Sequence, residues 1–149
     1  MEALGRDLRD LLSLLDRHGV RFLVVGGFAV AVHGLPRYTK DLDVWVERTA
    51  DNARRLLAAL DELGFGSVGL TTDDLLTPDS VIQLGYEPNR VDLLTDVSGV
   101  DFAEAYPKRI ATTVGGIPVP VIDKASLVAN KRAVGRPQDI ADVTELDGP

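Results

Sequence analysis

The chain has no cysteine and only two histidines. A disulfide framework and a thiolate metal site are therefore excluded, and a metal held here takes oxygen ligands, which suits Mg²⁺, Mn²⁺ or Ca²⁺. No run approaches the roughly 18 continuous apolar residues of a membrane span. The start, Met-Glu-Ala-Leu-Gly-Arg, lacks the basic-then-apolar order of a signal peptide, so a cytoplasmic location is expected. Basic residues are also in short supply: the formal net charge is −7 and the pI about 4.7. That argues against a large nucleic-acid footprint, which needs a basic surface. The deficit is uneven. Residues 1–105 hold 10 basic and 18 acidic residues, whereas residues 106–149 hold 6 and 5, which leaves room for a local anion site in the last third.

What is present is an ordinary globular composition, 45% hydrophobic and 26% charged, in 149 residues. That length fits one domain spanning residues 1–149. Leu4, Leu8, Leu11, Leu12 and Leu15 recur at helical spacing, and Gly19 stops that helix. Short β-type runs follow at 21–25 and 41–46. Between them Phe28 to His33 reads as a short helix starting at Gly26-Gly27. Thr49 or Asp51 caps a helix through Leu63. Residues 81–86 and 90–95 form one hairpin, and 109–114 and 117–122 a second around Gly115-Gly116. Asp123 caps a helix to about Val134, and Pro137 opens a last helix carrying Asp139, Asp142 and Glu145. The expected class is α+β, with a mixed sheet flanked by helices.

The stretch VVGGFAVAVHGLPRYTKDLDVWV, residues 24–46, holds the chemistry. Strand side chains alternate, so Asp41, Asp43 and Trp45 share one face and Leu42, Val44 and Val46 the other. Two carboxylates roughly 7 Å apart on a strand can converge on a pair of metal ions about 4 Å apart, the geometry of phosphoryl transfer. Gly26 and Gly27 end the preceding strand, where backbone N–H groups can approach phosphate oxygens. Asp92 lies in an apolar run, NRVDLLTDV. A carboxylate there needs a partner, and a metal shared with Asp41 and Asp43 is one. The plain alternatives are a solvated strand face, a tight turn and an outward-facing acid.

Together these residues resemble the DNA polymerase β-type nucleotidyltransferase superfamily: a Gly-Gly pair, a short helix, Asp-X-Asp and a later third carboxylate. The form His-Gly-X-X-Arg-X-Thr-X-Asp-X-Asp, with the tail DKASLVANKRAVGRPQDIADVTEL, resembles the small bacterial AbiEii-like, type IV toxin–antitoxin group. The resemblance implies Asp41, Asp43 and Asp92 as catalytic metal ligands for Mg²⁺ or Mn²⁺, with Asp92 taking the proton of the attacking hydroxyl. It implies an NTP as substrate, with Gly26 and Gly27 on its phosphates and Arg37 offsetting leaving-group charge. Lys124 and Lys131, seven residues apart, are expected on one helix face with Arg132 and Arg136 nearby. Tyr38 and Trp45 are candidates to stack on a base, and His33 reads as a packing or turn residue. The implied acceptor is a tRNA end, and the implied protein partner a cognate toxin or antitoxin. A regulatory nucleotide-binding module, an aminoglycoside-type drug nucleotidyltransferase and an Mn²⁺-dependent glycosyltransferase remain alternatives.

Overall fold

The leucine stripe of the first helix, α1 (Arg6–Arg17), buries Leu8, Leu11, Leu12, Leu14 and Leu15. Each such side chain contributes about 1.5–3 kcal/mol of transfer free energy. The computed structural model describes residues 6–35, 41–64, 69–85 and 90–147. After α1 come β1 (Phe22–Val25), α2 (Gly26–Val32), β2 (Asp41–Val46), α3 (Ala50–Leu63), α4 (Thr72–Leu76), β3 (Val81–Leu84) and β4 (Arg90–Leu94). Then follow α5 (Phe102–Ala105) with a 3₁₀ turn at Tyr106–Lys108, β5 (Ile110–Val114), β6 (Ile117–Val121), α6 (Lys124–Val134) and α7 (Pro137–Leu146).

The strands form one sheet in the order β3-β4-β2-β1-β6-β5. β1 runs antiparallel to β2, both hairpins are antiparallel, and β2–β4 and β1–β6 are parallel. The mixed α/β architecture expected from the sequence is the one observed. The turn at 87–89 lies outside the described residues.

Local chemistry sets the boundaries. Thr49, not Asp51, caps α3 by accepting from Asn52 N, and Gly64 closes it in the left-handed region at φ 107°. Asn52 is buried at the start of that helix. Its Oδ1 accepts from Arg21 N at 2.7 Å, and its Nδ2 donates to Arg21 O at 3.0 Å and Glu47 O at 2.9 Å. One amide thus ties the entry of β1 to the exit of β2, pairing Arg21 N and adding a second donor to two carbonyls that already accept from Glu47 N and Thr49 N. At the opposite end of β1, Ile122 N donates to Val24 O at 3.1 Å, and Asp123 caps α6 by accepting from Ser126 N. His33, at the end of α2, bonds Ile122 O through Nε2 at 2.7 Å. The glycine pair, the start of β2 and the start of α6 therefore meet at one end of the sheet.

Candidate active site

Alternation on β2 sends Leu42, Val44 and Val46 into the core, while Asp41 and Asp43 stay half-buried on the other face. The register completes the site. Asp43 pairs with Val25 on one side and with Asp92 on the other, and Asp41 pairs with Arg90. Because β2 and β4 are parallel neighbours, Asp43 and Asp92 stand side by side, with strand axes about 4.8 Å apart and side chains on the same face. The structure thus brings Asp41, Asp43 and Asp92 together.

Gly26 closes the site from β1. Its φ is +67°, and a methyl group built on it would lie 2.1 Å from Asp43 Oδ2. Glycine is required there twice over, by backbone conformation and by contact. Gly27 follows in the first turn of α2.

The charge balance is lopsided. Arg90 Nε and Nη2 each donate to one oxygen of Asp92 at 3.1 Å, and Nε lies 3.9 Å from Asp41 Oδ2. The Oδ1 of Asp41 is buried without a hydrogen-bond partner. Burial pushes the Asp43 carboxyl up to about 6, helped by the negative charges of Asp92 and Asp41 and opposed by Arg90. Among the described residues, three carboxylates with one guanidinium and an orphaned oxygen form a donor set suited to a hard divalent cation. Among the described residues, no three acids or imidazoles already stand at metal-ligating distance, so an ion would have to draw these carboxylates inward.

The other expected residues fall differently. Arg37 and Tyr38 lie outside the described residues. Trp45 is 1% exposed and packs edge-on against Phe102 at 5.1 Å between ring centres, so it is a core residue and not a platform for a base. Lys124 is exposed on the first turn of α6, at the glycine-pair end of the sheet. Lys131 does not share a solvent face with it. Lys131 is buried, with Nζ 2.8 Å from Asp142 and 3.2 Å from Asp139. The seven-residue spacing holds, but two turns along the helix α7 covers that face and its acids neutralise the amine. Arg132 pairs with Asp147 at 2.8 Å and Arg136 with Asp139 at 2.7 Å. Of the expected basic face, Lys131 is thus an internal ion pair, while Arg132 and Arg136 stay exposed and paired with acids.

Sequence reasoning passes over Arg90. The signal is there, since Arg90 lies two residues before Asp92 and strand alternation puts both on one face.

The sequence matches, over residues 5–147, the family described as "Nucleotidyl transferase of unknown function (DUF2204)". The chain belongs to this nucleotidyl transferase family. No curated protein matches it. Solved structures share the fold. One is a protein from Thermotoga maritima assigned as a nucleotidyltransferase, with TM-score 0.60 and 18% identity over 95% of this chain and 89% of that one. Another is ANT(2″)-Ia in complex with adenylyl-2″-tobramycin, with TM-score 0.52 and 16% identity over 93% and 84%. A third is an antigenic nucleotidyltransferase-like protein from Paracoccidioides brasiliensis, with TM-score 0.51 and 16% identity over 96% and 77%. Among the described residues, no helix of this family member is long and apolar enough to cross a membrane.

Proposed function

We propose that this nucleotidyltransferase family member is a cytoplasmic, Mg²⁺- or Mn²⁺-dependent enzyme built as one domain, which moves a nucleoside monophosphate from an NTP to an acceptor hydroxyl. The observation that carries the reading is the placement of Asp43 beside Asp92, with Asp41 two residues away and Gly26 pressed against the Asp43 carboxylate. Asp41, Asp43 and Asp92 would hold the cations. A bound ion supplies Lewis-acid polarisation of the phosphoryl oxygens and acidifies the acceptor hydroxyl. Gly26 and Gly27 turn backbone N–H groups toward the β- and γ-phosphates, and Arg37 and Lys124 add positive charge there. The acceptor oxygen forms a bond to the α-phosphorus, the bond from that phosphorus to the bridging oxygen of the β-phosphate breaks, and pyrophosphate leaves. Asp92 takes the acceptor's proton.

A small acceptor fits better than RNA. The cluster that favours a tRNA end is consumed by Asp139, Asp142 and Asp147, and the net charge of −7 suits a cationic or neutral molecule. Tobramycin is the adenylylated group in one structural neighbour and so leads the assay.

The test is incubation with each labelled NTP and Mg²⁺ or Mn²⁺, against aminoglycosides, total tRNA and protein extract. Metal-dependent label transfer that disappears in Asp41→Asn/Asp43→Asn is expected. Full transfer by that double variant overturns the site. Label on tRNA or on a protein instead would identify the toxin-type acceptor and overturn the small-acceptor reading.

A further inference from the structure

Arg90 stands where a cation belongs. It opens β4, so alternation sets its side chain on the same face as Asp92, and the parallel register sets it directly beside Asp41. The guanidinium fork takes both oxygens of Asp92 and reaches toward Asp41 Oδ2. This is the two-pronged geometry that makes arginine–carboxylate pairs directional.

A divalent ion shared by Asp41 and Asp92 would have to approach oxygens that Arg90 now bonds in Asp92 and faces at 3.9 Å in Asp41. The guanidinium already occupies one acceptor site on each Asp92 oxygen, and two cations crowded onto one carboxylate pair repel each other. We propose, building on the nucleotidyltransferase reading, that Arg90 is a placeholder cation. It neutralises Asp41 and Asp92 in the ion-free protein and must swing off them when a divalent ion binds. Its displaced guanidinium then faces the triphosphate, on the side opposite the glycine pair. The arrangement explains how three acids on neighbouring strands coexist without an ion, and it couples ion loading to the arrival of a phosphate able to receive the arginine.

The experiment measures binding of Mn²⁺ alone, from the EPR signal of the free ion, to the wild-type chain and to Arg90→Gln, Arg90→Lys and Asp43→Asn. Circular dichroism checks that each is folded. Arg90→Gln should bind Mn²⁺ about fivefold more tightly than wild type, the change expected on removing one partly exposed ion-pair partner. Arg90→Lys keeps the charge but loses the fork, and should lie between the two. If Arg90→Gln does not fold, tighter binding by Arg90→Lys carries the same meaning. Unchanged or weaker binding by the folded Arg90 variants overturns the proposal. If Asp43→Asn loses Mn²⁺ while the Arg90 variants match wild type, only the placeholder role fails. If Asp43→Asn binds as wild type does, the carboxylate ion site fails and takes the placeholder role with it.

Discussion

Gly26 and Asp43 are built around each other: the carboxylate fills the space where any other residue at 26 would place its Cβ, 2.1 Å from Oδ2. Gly26→Ala must therefore both strain the backbone and push Asp43 aside. The left-handed conformation alone costs about 1–2 kcal/mol for a non-glycine residue. Gly34→Ala separates the two effects, because Gly34 has φ +106° and a methyl group placed there would meet nothing within 4 Å. Both variants should melt at lower temperature. Only Gly26→Ala should also lose nucleotidyl transfer. Equal activity in the two variants would show that Asp43 needs no fixed position.

Asp43 sets a second expectation, in pH. Its carboxyl is raised from an ordinary 3.8 to about 6 in the folded chain, chiefly by burial. The folded state therefore binds more protons than the unfolded state between those values. Stability contributed by this group is complete below about 4 and is lost as pH rises through about 6. The penalty at pH 7 is at most about 3 kcal/mol. Asp43→Asn should stabilise the ion-free protein by about 1–3 kcal/mol at pH 7 and change it little at pH 4. Urea unfolding at the two pH values checks this, and a stabilisation independent of pH would contradict it.

Lys131 carries a third expectation, opposite in kind to an exposed lysine. Lys131→Ala leaves Asp139 and Asp142 buried without their shared amine. Breaking a buried pair by removing one partner typically costs about 3–5 kcal/mol. Lys124→Ala, on the exposed first turn of the same helix, should change stability by no more than about 0.5 kcal/mol. Denaturant unfolding of the two variants at pH 7 decides. A Lys131→Ala variant as stable as Lys124→Ala would mean that α7 repacks without the amine.

The architecture is legible in the sequence because its signals are local. Gly64 and Gly135 end helices in left-handed turns, Thr49 and Asp123 supply caps, and Gly115-Gly116 turns a hairpin. Asp41 and Asp43 are legible because period-two alternation puts them on one face, and Asp92 because an acid in an apolar run needs a partner. Lys131 is misjudged from sequence because spacing along one helix says nothing about what covers it. Its exposure depends on Asp139 and Asp142, which return only after the Gly135-Arg136 turn. Trp45 shares a face with Asp43, yet Phe102, from an element 57 residues later, covers it. Arg90 escapes notice for a different reason: its meaning comes from the β2–β4 register, a non-local property.

Trp45 is the chain's only tryptophan, and it lies two residues beyond Asp43 on the same strand. Its ring meets Phe102, which stacks on Tyr106 at 5.2 Å, and Arg109 lies over that tyrosine at 4.2 Å. The protein therefore carries a built-in optical reporter on the strand that bears the acid pair. Emission from this indole should be blue-shifted in the native state and move to the red when β2 loses its packing. Strand movement on ion loading can then be followed in unlabelled protein, with no second tryptophan to blur the signal.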